Sequence, residues 1–167
     1  RSMHPAQRQL SVGILSTYPP TACGLATFSA ALVAGLARTG VIDVGVVSVG
    51  DDDHLTDIPL VVGQLIPRDA LSVSRVAQIL NRYDIVIVQH EYGIYPGEEG
   101  RSIIEFLEHL ERPPVTVLHT VLEELNPLQR EVLDALVTNS SSIVVHGTTA
   151  RTRLLDAVAI DPSRVAV

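Results

Sequence analysis

Four β-favouring apolar residues in a row, Ile85-Val86-Ile87-Val88, constrain this chain more than any other stretch. A strand with one wet face alternates apolar and polar residues. A short continuous apolar run suits a strand buried on both faces, as in a parallel sheet. The run is bounded by Asp84 in front and Gly93 behind, and it turns polar at once in Gln89, His90, Glu91 and Tyr92. Hydrogen-bonding side chains at the carboxyl end of such a strand stand where open α/β sheets bind ligands. A second run at 115–118 ends in His119-Thr120, and a third at 142–145 ends in His146-Gly147.

The rest of the chain alternates strand and helix patterns around these runs. Residues 11–17 read as a first strand, and 18–24 as a turn, because proline cannot continue a central strand. In 25–38 the apolar residues Leu25, Phe28, Leu32 and Leu36 recur at spacings of three and four, which predicts an amphipathic helix stopped by Gly40. Strands follow at 41–49 and 60–66, separated by an acidic loop through Asp51, Asp52, Asp53 and His54. A helix over 70–81 turns Val73, Val76, Ile79 and Leu80 inward, and another is expected over 98–110. Asn126-Pro127-Leu128-Gln129 carries a cap, a first-turn proline and a Gln three residues past the cap, opening a helix to about 138. That helix buries Leu128, Val132, Leu133 and Leu136; a helix at 148–158 and a strand from 164 complete the pattern. Such alternation implies a mostly parallel sheet with right-handed crossovers: a Rossmann-like three-layer α/β/α domain with strand order 3-2-1-4-5 and onward.

Residues 1–10 read as a tag or disordered lead-in, with Arg1-Ser2 ahead of Met3 as an expression scar, and 11–167 as one domain. The final strand stops without a polar tail, as if cut in mid-architecture. The net charge of −7 argues against a nucleic-acid binder, which needs a basic face. The single cysteine, Cys23, excludes an intramolecular disulfide framework and a cysteine-only metal cluster. No apolar run approaches the roughly 20 residues of a membrane span, and nothing resembles a signal peptide. A cytoplasmic protein is expected, and membrane association has no support.

Familiar catalytic motifs are missing. The first turn has Gly24 but no G-x-G-x-x-G, and a chain without lysine has no Walker A motif. The second histidine of H-E-x-x-H would fall at Ile94, so no metal is expected, and no G-x-S-x-G elbow appears. Gly24 at a helix start either lets a phosphate or hydroxyl reach free backbone N–H groups or serves close packing. Histidines at adjacent strand ends suit contact with a sugar hydroxyl or proton transfer near neutral pH, and Glu91 could orient one or bind hydroxyls itself. Thr148, Thr149 and Arg151 read as cap and solvated face, and the run 140–142 as loop.

The phrases STYPPTACGLATFSAALVAGL, IVIVQHEYGIYPG, PVTVLHTV and IVVHGTTARTRLL, in this order, resemble the N-terminal domain of family 4 (group 1) glycosyltransferases of the GT-B fold. The resemblance runs from about Ser11 to Val167. It implies a retaining hexosyltransferase with two Rossmann-like domains facing a cleft. This acceptor-side half would hold a small-molecule acceptor, and a C-terminal half, absent from this chain, would hold a UDP- or GDP-linked sugar. That sugar is a substrate; no cofactor or metal is implied. His119 would be the catalytic strand-end histidine, with Gly24, Gln89, His90, Glu91, Tyr92 and Thr120 binding substrate. The turn departs from many relatives in carrying one glycine rather than a pair. Without the groups that clamp the leaving diphosphate, this half alone is expected to be inactive. A non-catalytic small-molecule-binding module and a nucleotide-sugar epimerase of the same architecture are the alternatives, while the missing glycines disfavour an oxidoreductase.

Overall fold

The computed structural model describes residues 9–51 and 58–167. The lead-in over 1–8 and most of the acidic loop, including Asp52, Asp53 and His54, lie outside the described residues. Among the described residues seven strands form one parallel sheet: β1 (Leu10–Ser16), β2 (Ile42–Val49), β3 (Val61–Leu65), β4 (Ile85–His90), β5 (Val115–Leu118), β6 (Ser142–Val145) and β7 (Val165–Ala166). Their order across the sheet is β3-β2-β1-β4-β5-β6-β7, the expected Rossmann-like arrangement. The α-helices among the described residues are α1 (Gly24–Ala37), α2 (Ser72–Leu80), α3 (Ser102–Glu108), α4 (Pro127–Asn139) and α5 (Thr148–Ala157).

Handedness distributes the helices. The step from β1 to β2 runs one way across the sheet and the steps from β4 to β7 run the other, so right-handed crossovers put their helices on opposite faces. The core divides accordingly. Val12, Ile14, Val44 and Val46 pack with Val33 of α1. The alternate positions Leu15, Val47, Val86, Val88, Leu118, Ile143 and Val145 pack with α2, α3, α4 and α5. At the start of β4, Asp84 Oδ2 accepts from both the N–H and the hydroxyl of Ser11, each at 2.9 Å, which fastens β4 to β1.

Two glycines make room for a ring. A Cβ on Gly45 would lie 1.9 Å from the Tyr83 hydroxyl oxygen, and one on Gly13 would lie 2.9 Å from Tyr83 Cγ. The phenol therefore lies across β1 and β2 where two side chains would otherwise stand.

The structure corrects several expected boundaries. The helix expected over 98–110 is broken: a 3-10 turn at Glu98–Gly100, with Glu99 at φ 53°, precedes α3. Glu99 takes that backbone because its carboxylate accepts from Asn126 Nδ2 (2.8 Å) and Gln129 Nε2 (3.1 Å). In α1 the buried residues are Leu25, Ala26, Ser29 and Val33, so the inner face is turned away from Phe28. Arg151, on the expected solvated face, is half-buried, and its guanidinium also donates to the Val165 and Pro162 carbonyls beside β7.

Replacing Gly45 by Ala should lower the unfolding free energy by about 2–3 kcal/mol, because the added methyl overlaps a rigid ring. Denaturant melts of the variant and the parent chain check this; an unchanged midpoint would mean that Tyr83 does not occupy the glycine channel.

Candidate functional site

Strand register builds the site. Gln89 pairs with Val117 and His90 with Leu118, while Leu118 pairs with Val145. The ladder continues one step further, His119 N donating to His90 O at 2.9 Å. Because side chains alternate, Gln89 and His119 face one side of the sheet, and His146, next in register to His119, faces the same side. The rings of His119 and His146 stand 4.6 Å apart, about one strand spacing. Phe28 of α1 meets both edge-on, at 4.8 and 5.3 Å. Gln89, fully buried, reaches His119 Nε2 with its Oε1 at 2.6 Å.

Beside this row lies the start of α1. The Cys23 sulfur caps it, accepting from Ala26 N, and Thr27 N bonds back to Cys23 O. The Gly24 and Leu25 N–H groups thus have no partner within the helix. A Cβ on Gly24 would meet nothing within 4 Å, so the protein itself does not need a glycine there.

The other expected site residues divide. Thr120 donates to Glu91 Oε2 at 2.6 Å, and Tyr92 N donates to Glu91 Oε1 at 3.1 Å. Glu91 therefore ties the ends of β4 and β5 together and orients neither histidine. His90 is turned to the opposite face, only 1 % exposed, stacked on Tyr95 at 6.0 Å and edge-on to Tyr92 at 4.9 Å. Neither of its ring nitrogens has a hydrogen-bond partner. The Tyr92 hydroxyl points away as well, donating to the Gln129 carbonyl of α4 at 3.4 Å. The sheet thus gathers Gln89 and His119 and separates them from His90 and Tyr92.

Sequence reasoning missed Phe28, read as a core position of α1; it is 39 % exposed and forms one wall of the row. The available signal was His146, a third strand-end histidine that needed a neighbour on the α1 face.

Burial depresses the basicity of two of these imidazoles. Desolvation, and then the neighbouring His146, pull His119 down to about 4; desolvation, and then His119, do the same to His90. Burial, followed by the nearby Glu99 and Glu91, pushes Tyr92 up to about 12. Both depressed histidines are uncharged at neutral pH and able to accept a hydrogen bond on one nitrogen. Among the described residues no group of three or more His, Cys, Asp or Glu side chains is placed to hold a metal ion. No helix among them is long and apolar enough to cross a membrane.

No protein-family model and no curated protein matches the chain. Among solved structures, that of Anabaena Alr3699/HepE in complex with UDP and glucose is similar over 95 % of this chain and 44 % of its own, with a TM-score of 0.62 and 14 % identity. At that identity the likeness is one of fold. The chain spans less than half of HepE's length.

These histidines make stability depend on pH. His90 binds its proton near pH 6.5 when unfolded and near 4 when folded, so stability is complete above about 6.5 and is lost as pH falls through 4. At about 1.4 kcal/mol per pH unit, His90 contributes up to about 3 kcal/mol of that loss. Half-exposed His119 adds less in the same direction because solvent screens it. Urea melts at pH 7 and pH 4.5 should show the drop, and His90→Phe should flatten it; equal pH dependence in the variant would remove His90 as the cause.

Proposed function

We propose that the chain is the acceptor-side, Rossmann-like half of a GT-B glycosyltransferase. In this reading a longer protein moves a sugar from a nucleotide-linked donor to an acceptor hydroxyl with retention of configuration. The observation that carries it is the row of Gln89, His119, His146 and Phe28 at the carboxyl edge of the sheet, beside unobstructed space above Gly24. Edges of this kind are where open α/β sheets take ligands. A fold neighbour crystallised with UDP and glucose, the two parts of a nucleotide sugar, supports the substrate class.

The residues divide the work. His119, uncharged, accepts a hydrogen bond from a hydroxyl of the sugar or of the acceptor. The Gly24 and Leu25 N–H groups face an anionic or hydroxyl group that approaches the start of α1, where the helix dipole favours negative charge. Phe28 gives an apolar wall, and His146 stands beside His119. The donor is a substrate, and the proposal needs no cofactor and no metal. The row brings no cation to a leaving diphosphate, and charge developing there is what must be stabilised. That part falls to a second domain, and the family 4 assignment rests on the sequence phrases alone.

The test is donor consumption, with UDP- and GDP-sugars, by this chain and by a longer protein carrying the second domain. The chain alone should give none. In the longer protein His119→Ala should cut turnover about a hundredfold while the fold persists. Gly24→Ala should leave stability unchanged and still depress turnover, because its methyl enters only ligand space. Robust transfer by the chain alone would overturn the division of labour. No consumption of any donor by the longer protein would move the assignment to a binding module.

A further inference from the structure

We propose that Gln89 is a positioning residue and not a ligand contact: its buried side-chain carbonyl holds the Nε2–H of His119, so that His119 meets a ligand with the bare Nδ1 lone pair. The geometry does not depend on the glycosyltransferase reading; only the consequence for a bound sugar rests on it.

Gln89 has no exposed surface, so it cannot reach a ligand in the cleft. It is also firmly placed. Its backbone pairs with Val117 in the ladder, and the Tyr95 hydroxyl donates to its carbonyl oxygen. From that position Oε1 lies 2.6 Å from His119 Nε2. A carbonyl oxygen only accepts, so Nε2 carries the hydrogen, and in a neutral imidazole the other nitrogen is then an acceptor. Nδ1 has no protein partner, and it is not among the buried polar atoms left unpartnered, which include both nitrogens of His90. It therefore opens to solvent. Phe28 edge-on and His146 alongside hold the ring in this orientation.

The arrangement sets what His119 can recognise. A lone pair takes a hydrogen bond from a hydroxyl and repels the oxygen of a phosphate. His119 is thereby matched to a sugar or acceptor hydroxyl, and anionic groups are left to the start of α1. It also makes the cleft-facing nitrogen a proton acceptor, with the proton on the far nitrogen held inside the protein.

Long-range nitrogen NMR of the histidine-labelled chain tests this without an activity assay. His119 should show a protonated Nε2 whose hydrogen exchanges slowly with water and lies close to the Gln89 side chain, and an unprotonated Nδ1. Gln89→Met should make that hydrogen exchange at least tenfold faster. Gln89→Glu, which keeps the acceptor and adds charge, should restore slow exchange and raise the His119 midpoint by more than one pH unit. Glucose should shift the Nδ1 resonance, and sulfate, which carries no O–H at neutral pH, should not. A proton on Nδ1, or an Nε2 hydrogen indifferent to Gln89→Met, would overturn the proposal. If the Met variant fails to fold, the tautomer of the parent chain and the response of the Glu variant still decide. Absence of glycosyl transfer would leave the tautomer and both variant effects untouched, so the two ideas fail separately.

Discussion

Everything at the carboxyl edge depends on the parallel register of β4, β5 and β6. Pairing Leu118 with both His90 and Val145 puts Leu118, Val145 and Val88 into the core beneath α3 and α4. The same pairing leaves Gln89, His119 and His146 on the other face, where their polar groups meet one another and solvent. A one-residue slip would exchange these sets, sending two imidazoles into the core and two aliphatic side chains to the opposite face. The apolar residues that fix the core therefore also fix the site. No separate device is needed to bring three strand ends into one row.

His90 and His119 illustrate how one ladder gives two histidines different lives. Both are pulled down to about 4, mainly by desolvation. One is closed between tyrosines with both nitrogens unpartnered, an arrangement that destabilises the fold by the unmade hydrogen bonds. The other gives one nitrogen to Gln89 and keeps the second open. The loop after β4 supports this separation from outside the sheet. Glu91 binds Thr120, Tyr92 binds the Gln129 carbonyl, and Glu99 binds the cap of α4. Hydrogen bonds thus tie the ends of β4 and β5 and the start of α4 together.

Legibility in the sequence followed the range of the forces involved. The strands at 115–118 and 142–145 were readable to the residue because short apolar runs between turn residues allow few alternatives. The Asn126–Gln129 capping box was readable because both its hydrogen bonds are local, and the structure makes both. The break before α3 was not, since Glu99 leaves the helix for partners 27 and 30 residues away. Nor could periodicity separate His90 from His119. Each ends a buried strand, and only the pairing of strands distant in sequence decides which face each takes. Gly24 and Gly45 look alike in sequence, yet one faces open space and the other a phenol ring.

The aromatic side of the row follows from how α1 meets β1. Apolar spacing alone would turn Phe28 inward with Leu25, Leu32 and Leu36. Instead the small residues Ala26 and Ser29 lie against the sheet with Val33, and the Ser29 hydroxyl bonds the Ser16 hydroxyl at 2.7 Å inside the core. A buried hydroxyl pair is stabilising only when both partners are present, so the contact is specific as well as close. Rotating the helix to bury Phe28 would break this pair and force a large ring where only small side chains fit. The exposed phenylalanine is then a consequence of the buried serine next to it. With Ser29 fixed on Ser16, Phe28 stands over β5 and β6, where the two imidazoles meet its ring.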